Sequence, residues 1–232
     1  MRFVLVFAVC GLVLTGSSLM TGGIALVALW PALNFLILAA IYGLDKPLWL
    51  GKQPSGRMSI APVVVLAPYL LFTWSIWHIF RRLTPEAARD EVMAGVFLGR
   101  RPLGDELPAH VSVVVDLTAE FPRSPAVRDR RVIQIPSLDA QAPPDDRLLA
   151  AVEEAARADG VYIHCAAGHG RSALVAALVA VRRGLAGTLD EAVSLLQRSR
   201  PAVRLHRRQR LAGERLAPKL SAAFAQQSAS KH

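Results

Sequence analysis

The stretch Val161-Tyr162-Ile163-His164-Cys165-Ala166-Ala167-Gly168-His169-Gly170-Arg171-Ser172 decides how this chain is read. Its first part is a short β-branched and aromatic run, the composition of a strand buried on both faces. A loop with two glycines follows, and a helical pattern opens at about Ser172. Strand, Gly-rich loop and helix in that order gather backbone amides at a helix N-terminus, where anions bind. Gly168 and Gly170 are expected to allow unusual dihedrals and close backbone approach.

Each polar residue of the stretch has a chemical reading. Cysteine reacts as its thiolate, and Cys165 sits at the strand end, facing the positive end of the next helix dipole. The planar fork of Arg171 matches phosphate oxygens in pairs. Five residues separate Cys165 from Arg171, enough for the loop to curl until both face one point. Ser172 is expected to donate a hydrogen bond to the Cys165 sulfur, and His164 to orient the loop through its ring N–H. His169 lies inside the loop, with substrate contact and solvent exposure both open. Taken singly, these residues would fit a tight connection holding an inert core cysteine. The ordered set of His, Cys, Gly, Arg and Ser is far more specific.

Outward from this stretch, apolar runs at Val96-Phe97-Leu98, Val111 to Val115 and Val132 to Ile135 read as further strands. Helical patterns cover about 144–158, 172–183 and 189–198. Alternation of this kind predicts an α/β domain with a central, mostly parallel sheet flanked by helices. Thr84-Pro85-Glu86 reads as a helix start, with Thr84 as cap and Pro85 in the first turn.

The N-terminal third has a different texture. The chain of 232 residues is 53% hydrophobic and 19% charged, and the excess apolarity sits in its first eighty or so residues. Helices are expected at about 3–19, 24–44 and 60–80, as two to three transmembrane or interfacial segments. Trp30, Tyr42 and Trp49 fit interface anchors. A cleaved signal peptide is the competing reading of the first run. The third run carries Pro62 and Pro68 and ends in aromatics beside Arg81 and Arg82. Were only the first two runs to cross, Arg2, Lys46, Lys52, Arg57, Arg81 and Arg82 would all share one side, as the positive-inside rule prefers. That places the rest of the chain on the cytoplasmic face.

A net charge of +9 calls for an acidic partner, and Arg198, Arg200, Arg204, Arg207, Arg208 and Arg210 cluster late in the chain. Such a run is more often a solvated face, though it could hold the domain against anionic lipid. Only Cys10 and Cys165 are present, which excludes a disulfide framework and favours a reducing compartment for Cys165.

The segment HCAAGHGRS, His164 to Ser172, resembles the HCxxGxxRS/T signature of the protein-tyrosine phosphatase superfamily. The region of about 84–218 resembles its dual-specificity branch, between a membrane-anchoring region at 1–83 and an unstructured tail at 219–232. The resemblance implies a two-step reaction with a phosphocysteine on Cys165 and a phosphate cradle of Ala166, Ala167, Gly168, His169, Gly170 and Arg171. It implies no metal and no cofactor. It also implies an aspartic general acid on a loop before the signature. Asp139, in Ile135-Pro136-Ser137-Leu138-Asp139, is the choice; Asp145 and Asp146 look like first-turn acids, and Asp116 like a loop-holding residue.

The expected function is a membrane-anchored phosphomonoester phosphatase acting on a phospholipid head group or a phosphoprotein. Expected partners are that substrate and membrane lipid, with no nucleic acid. A catalytically inactive phosphate-binding module at the membrane is the alternative. A rhodanese-like sulfurtransferase or an arsenate reductase is disfavoured by the Arg171-Ser172 pair, by His164, and by the lack of a second cysteine in the soluble part.

Overall fold

The computed structural model describes residues 2–229. The chain folds as two compact units, one of Met1–Pro85 with Ala119–Pro122, the other of Glu86–Thr118 with Arg123–His232.

The first unit is helical. α1 spans Arg2–Thr21, a 3-10 stretch covers Gly23–Ala28, and α2 spans Leu29–Gly43. Gly22 and Gly23 turn the chain with positive φ angles of 64° and 56°, which a glycine adopts without penalty. α1 and α2 meet through Phe3, Phe7, Phe35 and Tyr42, with ring centroids 5.4 to 6.2 Å apart across the pair. A Cβ on Gly11 would lie 2.7 Å from Leu36, so glycine permits the close approach of the two helices. The segments Phe3–Thr21 and Gly23–Gly43 are long and apolar enough to cross a membrane, with mean hydropathies of 2.3 and 2.4. Leu5, Leu12, Val13, Met20 and Ile24 remain exposed.

The third apolar run is not one helix. It forms α3 at Ile60–Val65 and α4 at Ala67–Leu83, broken at Leu66. Pro68 lacks an N–H and cannot continue the α3 hydrogen-bond ladder. Val65 O and Tyr69 N, an i, i+4 pair, lie on either side of that break. Asn34 of α2 takes both: its Nδ2 donates to Val65 O at 2.9 Å, and its Oδ1 accepts from Tyr69 N at 3.2 Å. Trp30 Nε1 also donates to Val65 O, at 2.9 Å.

The second unit carries five strands: β1 (Arg89–Met93), β2 (Val96–Arg100), β3 (Val113–Thr118), β4 (Arg131–Ser137) and β5 (Val161–Cys165). Their order is β1-β2-β5-β3-β4. β1 pairs antiparallel with β2 and every other pairing is parallel. The expected α/β class with a mostly parallel sheet is therefore what forms. β5 lies at the centre and every one of its residues is buried, so its carboxyl end, Cys165, emerges between β2 and β3. Open α/β sheets bind ligands at such carboxyl ends.

Helices cover the sheet: α5 (Asp145–Arg157), α6 (Arg171–Arg182), α7 (Leu189–Ser199) and α8 (Arg207–Ala229). α6 is buried from Arg171 through Val181, as its apolar sequence on all sides requires. It forms one core with Leu98 and Ile163 of the sheet and Leu148 of α5.

Two expectations need correction, and one strand goes unread in the sequence. No helix begins at Thr84-Pro85-Glu86; the chain passes through irregular backbone into β1. β1 does not stand out as a strand in the sequence because Arg89-Asp90-Glu91 breaks any apolar run, and an edge strand tolerates that. The tail expected to be unstructured from 219 is helical through Ala229, while 230–232 lie outside the described residues. Leu216 and Leu220 are buried, and the Phe224 ring sits so close to Gly184 that a Cβ there would lie 2.3 Å from it. These residues recur every four positions and form one apolar stripe.

Candidate active site

Cys165 is buried at the end of β5, with its Sγ held by two groups. Gly168 N donates to Sγ at 3.2 Å, and Ser172 Oγ lies 3.3 Å away. Burial alone would push the thiol pKa up, since it penalises the charged form. The Arg171 charge and the hydrogen bonds from Ser172 and Gly168 outweigh it, and hold the thiol below its ordinary value.

Gly168 makes the tight curl possible. Its φ is 83°, and a Cβ would lie 2.4 Å from the Gly99 carbonyl carbon. Gly170 plays a different part from the one expected: its φ of −116° is ordinary, and its missing Cβ leaves room for Gln209 Oε1, 3.0 Å from where it would stand.

Arg171 is the first residue of α6 and is buried. Its Nη1 donates to Ser137 O at 2.9 Å, which aligns the guanidinium beneath the β4–α5 loop. Asp139 stands on that loop with Oδ1 3.6 Å from Arg171 Nε, and its side chain is 59% exposed. Asp145 instead binds Arg215 through two oxygens, at 2.6 and 2.8 Å, and the Arg215 hydrogen bond holds its carboxyl below the ordinary value. Asp116 Oδ1 accepts from Thr118 N and Oγ1 at 2.9 and 2.7 Å, bonds within the end of β3. His164 is buried, with Nδ1 3.3 Å from Cys165 O.

His169 is half-buried, and its Nε2 lies 2.7 Å from Glu86 Oε2. Arg200 departs furthest from expectation. The sequence groups it with a solvated basic face, yet its side chain is buried and bonded to Asp90, Glu86 and the loop backbone. Sequence reasoning singles out neither Glu86 nor Arg200. The one available signal is the Arg200-Pro201 pair, which ends α7 just before the chain returns to the loop. Arg204, Arg207 and Arg208 are exposed, and their side chains have no partner among the described residues.

Residues 103–222, just over half of the chain, match the family model described as "Swiss Army Knife protein, DSP-PTPase phosphatase domain". The chain belongs to this family. It is a dual-specificity-phosphatase-like hydrolase of the protein-tyrosine phosphatase superfamily that acts on phosphorylated substrates. No curated protein matches it. Among solved structures, PTPMT1 in complex with PI(5)P is similar at 18% identity and a TM-score of 0.51, over 59% of this chain and 98% of that one. A mutant form of Tk-PTP is similar at 27% identity and a TM-score of 0.50, over 60% and 97%. These likenesses are to the phosphatase fold. The family match begins at 103, so Glu86 and Asp90 lie outside it.

Proposed function

We propose that this phosphatase is anchored in a membrane by its N-terminal helices and hydrolyses phosphomonoesters of lipid head groups through a phosphocysteine. The observation that carries the chemistry is the meeting of Cys165, Arg171, Ser172 and Asp139 around the curled loop. In the first step the Cys165 thiolate attacks phosphorus and the P–O bond to the alcohol breaks. Asp139 gives its proton to the departing oxygen. The inward loop amides and Arg171 hold the equatorial oxygens, where charge is greatest in the transition state. In the second step Asp139 takes a proton from water, which attacks phosphorus. The P–S bond breaks, and the Ser172 hydroxyl supports the returning thiolate.

Two features favour lipid over phosphoprotein. Apolar, exposed helices in the same chain would concentrate the site among lipid substrates. The exposed Arg204, Arg207 and Arg208 fit an anionic surface, at roughly 1 kcal/mol each.

Phosphate release is to be measured from a panel of lipid and peptide monoesters in mixed micelles, with Cys165→Ser as the control. Turnover of a lipid monoester that Cys165→Ser abolishes supports the reading. Preference for phosphopeptides would move the substrate class to protein, and inactivity toward both would sink the proposed reaction.

A further inference from the structure

The carbonyls of the phosphate loop are each held from outside it. His164 Nδ1 lies 3.3 Å from Cys165 O, and Arg101 N donates to Ala166 O at 3.3 Å. Arg200 Nη2 donates to Ala167 O at 3.1 Å, and Arg200 Nε to Gly168 O at 3.0 Å. Arg204 N donates to His169 O and Leu174 N to Gly170 O, both at 3.0 Å. Every carbonyl from Cys165 to Gly170 thus has a nitrogen beside it, and none of those nitrogens belongs to the loop itself.

A peptide unit is planar, so a carbonyl drawn to one side sends the next residue's N–H to the other. Holding the Ala167 and Gly168 carbonyls outward turns the Gly168 and His169 amides inward. The Gly168 amide is seen there, 3.2 Å from Cys165 Sγ. One side chain, Arg200, holds these two adjacent units.

Arg200 is itself fixed. Its Nη1 reaches Asp90 Oδ2 at 2.7 Å and Ala87 O at 3.2 Å, and its Nη2 lies 3.2 Å from Glu86 Oε1. Glu86 holds His169 of the same loop through its other oxygen, at 2.7 Å. A buried arginine requires such counter-charges. They come from the segment before and within β1, N-terminal to the family match.

We infer that Arg200 is a positioning residue for the phosphate site: with Glu86 and Asp90 as its anchors, it sets the peptide planes of the loop so that the Gly168 and His169 amides face the bound oxyanion. This rests on the proposed reaction at Cys165. It predicts that the anion site, not merely the fold, depends on a guanidinium here. Lysine has one nitrogen and cannot span two carbonyls and two carboxylates.

The full chain carrying Arg200→Lys is compared with wild type for tungstate affinity, for the pH profile of Cys165 alkylation by iodoacetate, and for melting temperature. The expected result is a folded variant that binds tungstate about tenfold or more weaker, as loss of charge-assisted hydrogen bonds dictates. Its Cys165 alkylation midpoint also moves to higher pH, because the Gly168 amide no longer supports the thiolate. A folded variant with wild-type tungstate affinity and wild-type midpoint overturns the inference, whatever its melting temperature. Should Arg200→Lys fail to fold, Glu86→Gln serves in its place. A loosened Arg200 weakens tungstate several-fold there, and unchanged affinity overturns the inference. Tungstate binding needs no turnover and is read equally in Cys165→Ser. A chain inactive toward every monoester would therefore defeat the proposed reaction while leaving the role of Arg200 to be decided by affinity.

Discussion

Asp139 Oδ1 stands 3.6 Å from Arg171 Nε, so an exposed carboxylate of the site faces a buried guanidinium. The carboxyl lies on a solvent-facing loop, while the guanidinium it faces is locked to Ser137 O. A proton donor has to reach the leaving oxygen and then water, and exposure serves both. Replacing Asp139 by Asn is expected to cut kcat by about 10²- to 10⁴-fold for an alkyl phosphate. For p-nitrophenyl phosphate, whose leaving group needs little protonation, the loss is expected to be much smaller. Equal losses on both substrates would remove Asp139 as the acid.

The pH dependence of Cys165 follows from its surroundings. Burial raises the thiol pKa, and Arg171 with the Ser172 and Gly168 hydrogen bonds lowers it further than burial raises it. The thiolate is the reactive form, so alkylation by iodoacetate is expected to persist to lower pH than for an ordinary thiol. It should fall only as pH drops through the lowered value. In Arg171→Met the main charge opposing burial is gone, and the midpoint is expected to move upward. Identical profiles for the two proteins would contradict this balance.

Ser172 Oγ lies 3.3 Å from Cys165 Sγ, and in the proposed reaction it would support the sulfur most as it leaves phosphorus. Ser172→Ala is expected to slow breakdown of the phosphocysteine more than its formation. Rapid-quench kinetics should then show a burst of released alcohol ahead of phosphate. A variant with lower kcat and no burst would place the serine in the first step.

A methyl group at Gly168 would meet the Gly99 backbone at 2.4 Å, in a residue whose φ is 83°. Neither strand nor loop can retreat cheaply. Gly168→Ala is expected to lose more than about 1 kcal/mol of stability by denaturant titration and to abolish tungstate binding. Retention of both would show that the loop can close in another way.

The topology prediction is that the phosphatase unit lies on the cytoplasmic side, with α1 and α2 crossing as a hairpin. All six basic residues that flank the apolar runs then lie inside. Alkaline phosphatase fused after His232 is expected to be inactive, and a cytoplasm-dependent fluorescent reporter active. The reverse pattern would invert the arrangement.

The sheet and its loop are legible because β2, β3, β4 and β5 are apolar runs with distinct borders, and because HCAAGHGRS is a dense signature. β1 is not, since an edge strand needs no apolar face and Arg89-Asp90-Glu91 hides it. Cys165, Arg171 and Ser172 can be placed from spacing alone, because all three lie within one loop and the helix start. Glu86 and Arg200 cannot, since their meeting joins positions more than a hundred residues apart. In a run of arginines, only the Pro201 that follows Arg200 marks the one that turns inward. The α8 extension is legible in principle, through Leu216, Leu220 and Phe224, but the small polar residues around them mask the period.

Asn34 has a consequence for how the chain is made. It is synthesised well before Val65 and Tyr69, both of which it later bonds. Until they arrive, its amide can rest on Trp30 O of its own helix, 3.0 Å away, but its carbonyl oxygen has no such local donor. Biogenesis of the helical unit is thereby ordered: α2 must be in place before the 60–83 segment can settle. A hairpin excised at Leu44 and grafted onto another enzyme would carry that unmet oxygen with it. The first two helices are in this sense the opening part of a three-part assembly, and not a detachable tether.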